Sequence, residues 1–164
     1  MILLFFIIGI ILGVISVLNI KKINMEIIKS DKSYFKLCFN YFTYNFWYLF
    51  VIWILGLFPV GFIFDYFVVL IKGIILGITF SFFLKSDGIP SVIDIVKIYY
   101  QEFILIIPSF LYLSYQAIVF SLGGSNKFNY QNKDEYLNKL YKVIFLVLLA
   151  SVLYALTKNT IKIS

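Results

Sequence analysis

The chain has 164 residues, of which 62% are hydrophobic and only 13% charged, with a net charge of +6 and a mean hydropathy of +0.98. Soluble domains carry about 25% charged residues, so a soluble globular fold is excluded and lipid is the expected solvent. With no histidine and a single cysteine, Cys38, an internal disulfide and the usual metal or acid–base constellations are also excluded, and neither a cofactor nor an enzymatic activity is expected.

Residues Ile2 to Leu18 are apolar almost without interruption. No charged n-region precedes them and no A-x-A-like site follows, so an uncleaved spanning helix is expected over 2–18 rather than a signal peptide. From 21 to 43 the pattern changes. Ile20, Ile23, Ile27, Tyr34, Cys38 and Tyr41 recur at spacings of three, four or seven, while Lys22, Lys29 and Lys36 fall one heptad apart on another face. That spacing predicts a short interfacial amphipathic helix.

A second spanning helix is expected over 44–58, with Trp47, Tyr48 and Trp53 as an aromatic belt. The run from Trp53 to Leu84 is nearly unbroken hydrocarbon. As one straight helix it would measure roughly 48 Å against a hydrocarbon core of about 30 Å, so it must turn back. Pro59 and Gly61 supply the break. A third helix then covers 62–84 and ends at the turn cluster KSDGIPS, 85–91. The fourth covers 103–120 and contains Pro108, with a more polar lead-in from Val92. The stretch 121–135 reads as the clearest loop, and a fifth helix covers 140–156. The expected fold is therefore all-α, a polytopic integral membrane protein of about five transmembrane helices forming a single transmembrane domain over 1–164, since no polar segment is long enough to close a core of its own.

Lys72 stands out because a lysine inside a spanning helix costs about 2.5 to 3.5 kcal/mol on insertion scales. The flanking Leu, Ile, Val and Phe residues each return about 0.3 to 0.6 kcal/mol, so the helix still inserts. Asp65 lies two turns earlier on the same helical face, within reach of a lysine that leans toward the amino terminus. Glu102, at the start of the fourth helix, is the other acidic candidate. Either pairing makes a structural ion pair, and an intramembrane cation can equally dock an acidic partner or line a substrate path.

Small residues recur at helix-packing spacing: Gly9 with Gly13, Gly73 with Gly77, Ala117 with Ser121 and Ser151 with Ala155. Each lets two backbones approach closely. Asp94, Glu102, Asp134 and Glu135 stand in no catalytic motif, and the GGS at 123–125 lacks the lysine and hydroxyl of a phosphate loop. The basic balance points to anionic lipid headgroups and not to nucleic acid, because the lysines flank apolar spans.

The block IWILGLFPVGFIFDYFVVLIKGIILGITFSFFL resembles the corresponding segment of the stage II sporulation protein M family. Trp53, Gly56, Gly61, Lys72, Gly73, Gly77 and Thr79 fall on its pattern. The opening FFIIGIILGVISVLN, through Gly9, Gly13 and Asn19, is similar to the family's first helix, and YQEFILIIPSFL around Pro108 to its polar-then-apolar stretch. Glu102 stands where the family has Gln or His, and Asp65 where an apolar residue is usual. The resemblance implies a multi-pass protein of the bacterial cell membrane, in the septal or engulfing membrane, that acts in engulfment during endospore formation. It implies a scaffold that anchors and localises sporulation membrane proteins carrying peptidoglycan-degrading activity, with membrane lipid around it and no small-molecule substrate. It also places the amino terminus inside, the topology adopted here, although lysine bias alone places it outside. The alternative is a small membrane transporter or channel subunit built on Lys72, Asp65 and Glu102, which lacks the internal repeat that many secondary transporters show.

Overall fold

The computed structural model describes residues 1–18, 34–87, 100–123 and 130–160. Among the described residues the regular structure is entirely helical, in five helices: α1 (Ile2–Leu18), α2 (Tyr34–Leu57), α3 (Gly61–Asp87), α4 (Ile107–Leu122) and α5 (Tyr130–Thr160). A π turn, Glu102–Ile106, leads without a break into α4.

Among the described residues three segments are long and apolar enough to cross a membrane: Gly61–Phe82, Glu102–Leu122 and Lys133–Thr157. Ile2–Leu18 is a shorter apolar helix. The helix α2 is 24 residues long but does not join that set, because Lys36, Asn40, Thr43 and Asn45 dilute its amino-terminal half. Among the described residues the crossings legible by length and composition are thus three, where about five were expected.

Three expected boundaries are corrected. From Tyr34 onward the predicted interfacial segment is continuous with the predicted second span, as one helix α2. The polar residues there are one end of a long rod, and the part of that segment from 21 to 33 lies outside the described residues. The expected loop 121–135 is also shortened, since α5 already begins at Tyr130. An i,i+4 ion pair, Lys139 Nζ to Glu135 Oε1 at 2.9 Å, supports those polar first turns, and the buried ring of Tyr136 anchors them to the core. Of the turn cluster at 85–91, Lys85 to Asp87 belong to α3, and 88–91 lie outside the described residues.

The break between α2 and α3 falls at Phe58–Val60. Phe58 N–H donates to the Leu55 carbonyl at 3.0 Å and Gly61 N–H to the Phe58 carbonyl at 3.1 Å. Any side chain on Gly61 would overlap the Leu55 carbonyl, which is why the chain needs glycine there. Ser121, from the end of α4, closes the turn by donating to the Phe58 carbonyl at 2.6 Å and accepting from Phe62 N–H at 3.3 Å.

The core lies where α2, α3, α4 and α5 meet, around Leu49, Ile52, Val69, Phe110, Leu113 and Val147. Helix α1 sits outside this group and packs chiefly along α3. Its seam is made of glycine from both sides. A Cβ on Gly9 would overlap the Leu70 carbonyl, one on Gly13 the Ile74 carbonyl, one on Gly77 the Ile10 carbonyl, and one on Gly73 would stand 2.5 Å from the Phe6 carbonyl. Each glycine therefore presents an α-hydrogen to a backbone oxygen of the other helix, the geometry of weak Cα–H···O contacts. The register advances in the same direction on both helices, so α1 and α3 run parallel. The Lys85 ammonium completes the pairing by donating to the Val17 and Leu18 carbonyls at the end of α1, where a cation is favoured.

Because the obstruction at these positions is backbone, no rotamer change can relieve it. Gly13→Leu and Gly77→Leu are each expected to force the helices apart and destabilise the purified protein by about 1–3 kcal/mol or more, measured by denaturant titration in detergent. The exposed Ile11→Leu, on the outer face of the same helix, is expected to leave stability unchanged.

Candidate functional site

Lys72 stands about 16 Å along α3 from Gly61, at ~1.5 Å per residue, and its side chain is only 5% exposed. An ammonium at such a place must find oxygen within the protein. Its Nζ donates to Glu102 Oε1 at 2.9 Å and to Asn45 Oδ1 at 3.2 Å. The rings of Tyr44 and Tyr48 lie 5.4 and 5.3 Å from Nζ, within the range of cation–π attraction. The Tyr41 hydroxyl donates to the second carboxylate oxygen of Glu102. One ion pair thus ties α2, α3 and the π turn together.

Each partner is oriented by its own helix. Asn45 Nδ2 donates to the Tyr41 carbonyl one turn earlier at 3.1 Å, which turns the amide oxygen toward the lysine. Glu102 is the first residue of the π turn, where Ile107 N–H donates to the Glu102 carbonyl, five residues back. Pro108 explains the irregularity. Proline has no N–H, and in a regular α-helix its ring collides with the carbonyl four residues earlier, here Ile104. A single wider turn relieves that collision, and such turns are frequent at functional sites.

The other singled-out residues fall in different places. Asp65, on the same helix, is fully buried, and neither carboxylate oxygen has a hydrogen-bond partner among the described residues. The structure therefore pairs Lys72 with Glu102 and not with Asp65. Trp53 is half-buried, stacks on Tyr136 with ring centroids 6.0 Å apart, and accepts the Tyr136 hydroxyl on its backbone carbonyl at 3.0 Å. Tyr136 stacks in turn on Phe120 at 4.3 Å. Gly56 makes room for this arrangement, because a Cβ there would overlap the Tyr136 hydroxyl and stand 3.0 Å from Ala117. Gly9, Gly13, Gly73 and Gly77 form the α1–α3 seam, Gly61 the α2–α3 turn, and Pro108 sits exposed at the start of α4.

A cavity of about 240 Å³ lies against the ion pair, with Tyr41, Tyr44, Thr79, Phe80, Phe103 and Tyr154 among its walls. Among the described residues no three His, Cys, Asp or Glu side chains gather as metal ligands. The site holds helices in place, since both charges are committed to each other and to neutral polar groups. Sequence reasoning did not single out Asn45, Tyr41 or Tyr44 as partners of Lys72. The signal was present: Tyr41, Tyr44, Asn45 and Tyr48 fall at i, i+3, i+4 and i+7, one face of a helix that presents hydroxyls and an amide inside an apolar protein.

The family model described as Stage II sporulation protein M matches residues 2–157, nearly the whole chain. The chain belongs to the stage II sporulation protein M family. No curated protein and no solved structure matches it. Membership, together with the apolar helices, makes this a sporulation-related membrane protein. The positions that carried the stage II sporulation protein M pattern fall in several places in the bundle, Trp53 and Gly56 at Tyr136 and Gly61 in the α2–α3 turn. Gly73 and Gly77 face α1, whereas Lys72 faces α2 and the π turn, and Thr79 opens onto the cavity.

If the ammonium is held as described, Asn45→Leu and Tyr41→Phe each remove one hydrogen bond to a charged group. Each is expected to cost about 1.5–3 kcal/mol in denaturant titration of the detergent-solubilised protein. Thr43→Val, on the same helix and outside the network, is expected to change little.

Proposed function

We propose that this chain is a membrane scaffold that anchors and localises a peptidoglycan-degrading complex during engulfment in endospore formation. The observation that carries the reading is the family match over residues 2–157. The design of the interior supports it. The charged groups at the centre are spent on joining helices, and the α1–α3 seam leaves no slack between backbones, as suits a rigid holding part. In this reading all five helices cross the cell membrane, with the amino terminus inside. The parallel pair α1 and α3 then both end outside, where wall-degrading partners act. The partners are sporulation membrane proteins carrying that activity, and the chain itself performs no chemistry.

Deleting the gene is expected to stop engulfment after normal septation, with a tagged copy concentrated in the septal and engulfing membrane by fluorescence microscopy. Engulfment that proceeds normally in the deletion strain, or a uniform distribution of the tagged protein, would end the reading. Topology is checked separately on whole cells. A membrane-impermeant thiol reagent is expected to label Cys38, near the outer end of α2, from outside, while labelling only after lysis would reverse the orientation.

One observation favours the alternative of a transport or channel subunit, namely the fully buried Asp65 without a hydrogen-bond partner among the described residues, since such carboxyls in membrane helices often lie on ion or substrate paths. Reconstituted protein that moves no ion or solute in a flux assay would dismiss it.

A further inference from the structure

Tyr44, Trp47, Tyr48 and Val51 recur on α2 at i, i+3, i+4 and i+7 and so share one face of the helix. That face is open. Trp47 is 59% exposed, and Trp47, Tyr48 and Val51 of α2 line an outer groove together with Val68 and Ile71 of α3. Ile71 stands about 15 Å along α3 from Gly61, at ~1.5 Å per residue, which is the middle of the segment Gly61–Phe82 and of a hydrocarbon core of about 30 Å. Trp47 lies as far along α2 from Leu57, at the same turn, so both walls of the groove give the same depth.

Polar aromatic rings are out of place there. Trp and Tyr gather at the membrane interfaces, where their N–H and O–H groups reach water and headgroups. This face carries three hydrogen-bond donors, the Trp47 indole N–H and the hydroxyls of Tyr44 and Tyr48. One is spent between the two hydroxyls, 3.4 Å apart, and among the described residues the other two have no acceptor. Hydrocarbon supplies none either, so each would stay unpaired at a cost. An acyl chain in the groove would not help, because its ester carbonyl lies about 15 Å away at the interface.

The acceptors that the face needs are ones it also carries. Each tyrosine hydroxyl has lone pairs to offer, so the patch is complementary to itself. Two copies related by a two-fold axis along the membrane normal bring the same residues together at the same depth, the condition for an isologous contact.

We propose that this face is the contact surface of a homodimer, in which the indole N–H of Trp47 donates to the Tyr44–Tyr48 hydroxyl pair of a second copy and each Trp47 ring fills the groove of the other. The exposed parts of Val51 and Ile71, 40% and 48%, supply apolar contact around it. Lys72 remains paired with Glu102 inside its own copy. The inference rests on α2 crossing the membrane beside α3 and not on the scaffold role.

The test uses the full-length protein in membrane vesicles, with Cys38→Ser to remove the native thiol. Single cysteines are then placed by Val51→Cys on the proposed face or by Phe145→Cys on the outer face of α5, where Phe145 is 66% exposed. A short bis-methanethiosulfonate reagent is expected to join the Val51→Cys protein to a product of twice the monomer mass and to leave the Phe145→Cys protein monomeric. Association of the wild type is then followed in liposomes by single-molecule photobleaching as the protein-to-lipid ratio falls. Trp47→Phe keeps the ring and removes the N–H; it is expected to weaken association about tenfold, through loss of two symmetry-related interhelical bonds. Phe145→Leu is expected to leave association unchanged. Monodisperse elution confirms that each variant is folded. A Val51→Cys protein that stays monomeric, a cross-linked product whose other half is a different protein, or a Trp47→Phe protein that associates like the wild type would each overturn the proposal.

Discussion

An ammonium group placed inside lipid is the constraint on which most of this structure depends. On insertion scales Lys72 costs a few kcal/mol unless oxygen is brought to it, and α3 alone does not bring it. The oxygen arrives from elsewhere in the chain: an amide from α2 and a carboxylate from the π turn before α4. For those groups to meet, α2 must turn a polar and aromatic face inward, and the approach to α4 must be widened ahead of Pro108. The neighbouring residue, Gly73, is turned about 100° round the helix and seats α1. Two successive positions on one helix therefore organise both sides of the bundle, one through charge and the other through the lack of a side chain.

A second set of ties stands near the α2–α3 turn. Ser121 clasps the α2–α3 turn, and the Tyr136 hydroxyl reaches the Trp53 carbonyl while its ring lies between Trp53 and Phe120. In a membrane the hydrophobic effect does not distinguish helix-on-helix contact from helix-on-lipid contact, so packing and interhelical hydrogen bonds set the arrangement. The bundle follows that rule. Polar ties lie at the ion pair and at the α2–α3 turn, close glycine contacts join α1 to α3, and the aliphatic core between them around Leu49, Ile52, Val69 and Leu113 contributes shape and dispersion.

Much of this was legible in the sequence, and for physical reasons. Continuous apolar runs gave α1 and α3, and Pro59 and Gly61 gave the turn, because those signals are local; the small-residue pairs marked close helix packing without saying which helices meet. What failed to read was of two kinds. Polar helix ends looked like a separate helix before 44 and like a loop before 136, since composition does not distinguish a solvated turn from helix continued by an ion pair such as Glu135–Lys139. The partner of Lys72 was also undetermined. Asp65 is close along the same helix and Glu102 is thirty positions away in sequence, so only the path of the chain brings the second to the lysine. Asn45 and Tyr41 were visible as residue types at helical spacing, but their common target was not.

The account reduces to the claim that Lys72 and Glu102 are mutually dependent charges buried among helices. A double-mutant cycle with Lys72→Met and Glu102→Met, read as unfolding free energy in detergent micelles, tests it most directly. Each single change is expected to cost about 3–5 kcal/mol by stranding one charge, and the double change to recover most of that loss because neither charge remains. Additive losses, with the double variant as unstable as the two singles combined, would contradict the claim.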